Sequence, residues 1–433
     1  MITRLGLARA WRASKAITLS IALAAALVAC KGASAIPGAP QPGKTAVPSV
    51  RDDWPMYGHD ALHTSASVAS ISGPLKVAWR YDPQAGATFT FSQAFSTVAT
   101  ISGAYVHWFQ SAPTILGAGP SVDGVSVAGQ RTWTFVEHRD YDEGHWLSIF
   151  SGDIVLDDDG EMLLDPASGS IVKTLLSSYD SWGETISDPS GLYGTNTFIA
   201  DGPNLVVYAF NSSNVVQWKA LQQTGTKYSI DSDGGLLLAN GILYYAASYS
   251  DPVPHASGLY AFTASTGAQI GYVASTPVSE MSADATKLYL VEQPSNLVAR
   301  SLGTLSKVWS VSLASGAFPA PVIANGLVIV ATFSGIEAHD AGTGKVVWTS
   351  GVQPAASGQY STAMCAALGS GTLLVASYDG LHLLNLATGA EIWHGAVTGA
   401  IGTATNPVIV NDPARGPTVY LTDGRGVIAL IPS

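Results

Sequence analysis

The sequence predicts an all-β fold, an eight-bladed β-propeller of four-stranded antiparallel blades, closed by its N-terminal strand. Three observations predict it. Aligning the chain on a recurrent Trp places eight marks, Trp79, Trp133, Lys173, Trp218, Gly271, Trp309, Trp348 and Trp393, at spacings of 54, 40, 45, 53, 38, 39 and 45 residues. Those spacings are the length of one four-stranded blade. Turn residues recur at fixed offsets from the marks: Gly160, Gly258, Asn296, Gly335 and Gly380 stand thirteen residues before, and Gly129, Gly169, Asn214, Gly267, Gly344 and Gly389 stand four before. Composition agrees, because 45 Gly and only 12% charged residues suit many short strands joined by tight turns.

Taken from the N-terminus, the first element is a leader. Arg4, Arg9, Arg12 and Lys15 precede an apolar run, Ala16 to Ala29, that is short for a membrane span. Residues 1–29 therefore read as a signal peptide. Its ending, Leu27-Val28-Ala29-Cys30, resembles the bacterial lipobox, which implies cleavage before Cys30 and lipid on its thiol. The alternative is an ordinary secretory leader cleaved after Ala33-Ser34-Ala35. Lys31 follows Cys30 in place of the Asp that marks inner-membrane retention, so the resemblance implies an outer-membrane address facing the periplasm. Residues 30–52 are rich in Pro, Gly and Ala and read as a flexible tether. The ring domain is expected over 53–433.

One unit, PVIANGLVIVATFSGIEAHDAGTGKVVWTS, parses as strand, Asn325-Gly326 turn, strand, Ser334-Gly335 turn, strand, Gly342-Thr343-Gly344 turn, strand. The Trp on the outer strand is expected to bury its ring against the neighbouring blade, worth roughly 1.5–3 kcal/mol. The chain ends GRGVIALIPS, in which Gly426 aligns with Gly335, and no fourth strand follows. The missing strand is expected from LKVAWRYD, Leu75 to Asp82.

Loss of the leader's four basic residues takes the net charge from −11 to −15, which disfavours binding to nucleic acid or to an anionic surface. With Cys30 lipidated, Cys365 is alone and lies in the apolar stretch STAMCAALG, which reads as core. His59 and His63 are four apart but lack a helical apolar period, so packing of the lead-in on the ring is favoured over a zinc site. Asp157-Asp158-Asp159-Gly160-Glu161 lacks calcium-loop spacing and reads as a hairpin turn. The chain has no Gly-x-Ser-x-Gly, His-Glu-x-x-His or phosphate-loop motif.

Length variation collects on the face that carries the second turn of each blade and the crossings between blades, and ten of the 31 acidic residues fall between Glu137 and Asp165. The candidate partner-binding residues on that face are Glu137, Asp140, Asp142, Glu143, Asp157, Asp158, Asp159 and His255. A solvated, solubilising surface is the other reading of the same acids.

The units GIEAHDAGTGKVVW and GLHLLNLATGAEIW, with the opening DWPMYGHDALHTSAS, resemble quinoprotein-type eight-bladed propellers from about Asp53 to Ser433. That family holds both pyrroloquinoline quinone (PQQ) dehydrogenases and non-enzymatic scaffolds. For a dehydrogenase the resemblance would imply an adjacent Cys-Cys pair over the cofactor, a calcium held by Glu, Asn and Asp, and a catalytic Asp. This chain has no Cys-Cys and no Cys-x-x-Cys-His. The reading favoured is a non-catalytic, lipid-anchored scaffold with an envelope protein partner and no cofactor, similar in architecture to the propeller lipoprotein of the outer-membrane β-barrel assembly machinery. A PQQ-dependent dehydrogenase and an envelope glycan- or peptide-binding module are the alternatives.

Overall fold

The structure, a computed structural model, describes residues 50–83, 92–110, 121–137, 147–157, 161–175, 185–188, 191–196, 206–211, 213, 215–221, 230–249, 257–277, 280–317, 320–354, 365–377, 379–396, 407–423 and 426–433. Among the described residues there are strands and turns and no helix. They form eight sheets, each an antiparallel four-stranded blade, one of which gains a short fifth strand from the lead-in. Blade 1 runs from Ser92 to Val136, blade 2 from Ser148 to Thr174, blade 3 from Thr185 to Ala220 and blade 4 from Ile230 to Ala274. Blade 5 runs from Ser282 to Ser312, blade 6 from Val322 to Ser350, blade 7 from Cys365 to Gly395, and blade 8 from Val408 to Pro432 with Leu75–Tyr81 as its fourth strand.

A strand between two sheets buries both faces, so its sequence reads as a continuous apolar run whose alternate residues serve different neighbours. Blade 7 illustrates this: Leu373 and Val375 join the core against blade 6, while Leu374 and Ala376 join the core against blade 8. Separate apolar clusters fill the junctions from blade 1/2 through blade 6/7. One larger cluster joins blades 7, 8 and 1. The core is thus a ring of layers rather than a single centre.

All eight sequence marks fall on outer strands, each beside a register shift that places two residues against one. The bulge turns the indole toward the next blade. There it lies over the third-turn Gly: Trp79 on Gly129, Trp133 on Gly169, Trp218 on Gly267, Trp309 on Gly344 and Trp348 on Gly389. Each of these glycines has φ between 68 and 77°. A side chain there would be strained by the backbone and blocked by the ring. The indole N–H then donates to a carbonyl of the same turn, at 2.8 Å to Val127, 2.9 Å to Pro166, 2.7 Å to Ala264, 3.2 Å to Ala341 and 2.9 Å to Leu386.

The two marks that are not Trp preserve the contact by other means. Lys173 sends Nζ to the Ser213 carbonyl of blade 3 at 3.2 Å, replacing the indole donor. Gly271 leaves a space that Leu305 fills from blade 5, at the position where five of the other turns carry Gly, with φ of 56°.

Leu75–Tyr81 lies antiparallel along Gly426–Pro432, with Leu75 opposite Pro432 and Tyr81 opposite Val427. A Cβ on Gly426 would collide with the Tyr81 carbonyl, as one on Gly335 would with Ser350 and one on Gly380 with Gly395. Blade 8 thus repeats the internal geometry of blades 6 and 7 with a strand taken from the other end of the chain.

Candidate functional site

The lead-in, Asp52 to Ile71, runs along the inner strands of the ring. Its carbonyls accept backbone N–H groups in turn: Asp52 from Asn411, Trp54 from Ala99, Pro55 from Ile149, Ala61 from Leu238, Leu62 from Ala283, Thr64 from Ile323 and Ser65 from Ala367, all at 2.7–2.9 Å. These donors belong to blades 8, 1, 2, 4, 5, 6 and 7, and each stands at the end of its inner strand, beside the first turn of its blade. Met56 joins Ile186 of blade 3 in the blade 3/4 core. Ala66–Ser67 then adds a short parallel strand to the inner edge of blade 7. An inner strand is a sheet edge with unpaired N–H groups, and the lead-in caps those edges one after another.

Its own shape is set by polar side chains. His59 Nε2 lies 2.9 Å from Asp52 Oδ1, and Nδ1 lies 3.7 Å from Asp60 Oδ2. Burial alone would lower the His59 pKa, but the hydrogen bonds and charges of Asp52 and Asp60 outweigh it and raise it from 6.5 to about 9. Burial pushes Asp52 and Asp60 up, yet His59 and their other donors hold both below 3.8. Asp52 Oδ2 also accepts Ser67 Oγ at 2.7 Å and the Val68 N–H at 3.0 Å. Asp60 accepts the N–H groups of Leu62 and Thr64 and the Thr64 hydroxyl. His63 turns the other way, with Nδ1 3.2 Å from the Met281 carbonyl and its ring edge-on to Tyr57. His59, His63 and Ser65 all take positive φ, so the segment is a chain of turns and the two imidazoles diverge. The lead-in packs on the ring, as the sequence indicated, and the pair has no common focus.

Of the acidic and loop residues singled out in the sequence, Asp140, Asp142, Glu143, Asp158, Asp159 and His255 lie outside the described residues, as do Cys30, the leader and the tether up to residue 49. Asp157 ends the second strand of blade 2. Glu137 departs from the expectation of an exposed acid: it is buried, with Oε1 2.7 Å from Nε2 of the equally buried His107. Sequence alone missed this because its partner is 30 positions away, on the second strand of the same blade.

Other ionisable groups on the described blades tie strands and turns within a blade or to the crossing before it. Arg300 pairs with Glu292 at 2.7 Å and donates to the Leu305 carbonyl at 3.1 Å; Glu337 lies 3.3 Å from His339 and accepts the Ala314 N–H at 2.9 Å. Cys365 is buried on the inner strand of blade 7, and burial pushes its thiol up to about 12, far from a nucleophile's range. The chain's two cysteines, at 30 and 365, offer no adjacent pair to cover a quinone, so the residues present do not fit that part of a PQQ site.

Comparison with known proteins places this geometry. A family model described as outer membrane protein assembly factor BamB matches residues 256–432, blade 4's third strand to the C-terminal strand. No curated protein matches the chain. Among solved structures, quinohemoprotein alcohol dehydrogenase from Comamonas testosteroni is similar with a TM-score of 0.64 and 12% identity, over 87% of this chain and 80% of that one. BamB from Moraxella catarrhalis is similar with a TM-score of 0.58 and 14% identity, over 83% of this chain and 98% of that one. The computationally designed Ika8 protein has a TM-score of 0.52 at 11% identity, over 78% of this chain and 96% of that one. At these identities the likeness is one of fold.

Proposed function

We propose that the chain is a non-catalytic, lipid-anchored scaffold of the bacterial cell envelope, working in protein assembly at the outer membrane. The observation that carries this reading is the match of residues 256–432 to the family described by an outer-membrane assembly factor. It is supported by the cysteine chemistry, which removes the pair that the dehydrogenase resemblance would require. The lead-in adds to it: one end of the ring has its inner edges covered by residues 52–71, which leaves the variable-loop face for a partner. The anchor in this reading is Cys30, released from a leader over residues 1–29 and joined to the ring by a tether over 30–52. The lipid holds the ring at the periplasmic surface of the outer membrane.

The test is site-specific photo-crosslinking in cells from Asp142 and His255, with Ser306 in the third turn of blade 5 as a control on the capped face. One discrete product from the variable face, absent from Ser306 and lost when Cys30→Ser releases the protein from the membrane, is the expected result. Labelling that is equal from both faces would remove the scaffold reading.

A further inference from the structure

Blade 7 differs from the other blades at one place on its rim. Asp379 sits in the turn before the third strand, His382 is the third residue of that strand, and His394 stands directly opposite on the fourth strand. The two imidazoles are stacked, with centroids 4.2 Å apart and planes 5° from parallel. His382 Nε2 lies 2.9 Å from Asp379 Oδ1, and His394 Nε2 lies 3.7 Å from Asp379 Oδ2. One ligand atom from each of the three lies within 4.8 Å of the others, the only such group among the described residues.

We propose that Asp379, His382 and His394 form a surface site for a divalent late-transition-metal ion, of the zinc, nickel or copper class. Two imidazoles and a carboxylate are donors that suit those ions. Tetrahedral bonds of about 2.0–2.1 Å put neighbouring ligand atoms roughly 3.3 Å apart; the three donors already lie within 4.8 Å of one another, and rotation of the exposed His394 ring out of the stack brings its Nε2 toward the carboxylate that His382 Nε2 meets at 2.9 Å. A ligating His is held by a partner on its other ring nitrogen. Here Glu391 Oε2 lies 2.8 Å from His382 Nδ1, which leaves Nε2 as the nitrogen aimed at the site. Ser377 donates to Asp379 Oδ1 at 2.8 Å and fixes that carboxylate as well. His382 is almost fully buried while the Asp379 and His394 side chains are 63% and 37% exposed, so an ion can enter from solvent and keep an open position.

The other blades act as internal controls. The cross-strand slot of His382 and His394 is filled by Glu337 and Thr349 in blade 6, Val298 and Ser310 in blade 5, Tyr260 and Tyr272 in blade 4, and Asp123 and Thr134 in blade 1. In blade 6, Ser334 replaces Asp379 and Val346 replaces Glu391. The fold is built without this foursome, so packing is no reason for all four side chains to meet in blade 7.

The experiment is calorimetric titration of the untagged chain with zinc chloride, beside His394→Ala and Glu391→Gln. His394 is exposed, so its truncation leaves the ring folded, and melts without zinc check this. One zinc per chain is expected for the wild type, with affinity falling about 10–100-fold in Glu391→Gln and at least as far in His394→Ala. Zinc should raise the wild-type melting temperature and leave that of His394→Ala unchanged. No saturable binding, or equal binding by wild type and His394→Ala, would overturn the proposal.

Discussion

The blade 4/5 junction offers a swap experiment. Five junctions place an indole over a glycine at positive φ; this one places Leu305, at φ of 56°, over Gly271. Gly271→Trp alone drives an indole into the volume Leu305 occupies, and such overpacking costs about 1–3 kcal/mol. Leu305→Gly alone empties a buried site, a loss of about 2–5 kcal/mol, offset by about 1 kcal/mol of relieved left-handed strain. The double variant restores the common arrangement: burial worth roughly 1.5–3 kcal/mol, an N–H bond to the Leu302 carbonyl worth about 1, and the same relief of strain. These gains roughly balance the lost Leu or exceed it. The double variant should therefore be at least as stable as wild type although each single change is destabilising. Denaturant unfolding of the four proteins measures this as a coupling of several kcal/mol. A double variant whose loss equals the two single losses added together would refute the docking argument.

Three further outcomes follow from the same geometry. Gly389→Ala puts a Cβ 2.7 Å or less from the Trp348 ring at positive φ and should lose about 2–4 kcal/mol in unfolding experiments, whereas Gly326→Ala, also at positive φ but with nothing nearby, should lose only about 1. His59 has its folded pKa raised, so its contribution, on the order of 3 kcal/mol, is complete below pH 6.5 and fades as pH rises to about 9; His59→Gln should flatten that part of the stability profile, and an unchanged profile would contradict the assignment. Deleting residues 75–82 should abolish a cooperative melt near the wild-type temperature, while deleting residues 32–49 should leave it in place; equal melts would mean that blade 8 does not depend on its N-terminal strand.

Much of the ring was legible because each blade must solve the same contact. An indole that crosses to the next blade needs a glycine beneath it, so Trp and Gly recur together at fixed spacing, and the spacing alone located eight outer strands. Even the exceptions at Lys173 and Gly271 held their positions, although nothing local revealed that a lysine donor and a leucine plug replace the indole. The path of the lead-in was not legible. It is fixed by backbone carbonyls meeting backbone donors, which carry no side-chain signature. The group at His382 was hidden differently: 15 residues separate Asp379 from His394 in sequence, and only strand register brings them together. Comparing GIEAHDAGTGKVVWTS with GLHLLNLATGAEIWHG for differences rather than likeness would have exposed it, since His382, His394 and Glu391 replace Glu337, Thr349 and Val346.

The claim that this ring binds protein rather than a quinone is tested most directly by titrating the purified full chain with pyrroloquinoline quinone and calcium, following absorbance and then the reduction of an electron-accepting dye with alcohols and sugars. The account predicts no saturable complex and no dye reduction above that of free quinone. A stoichiometric absorbing complex that reduces dye with either substrate class would contradict it and make the chain a dehydrogenase.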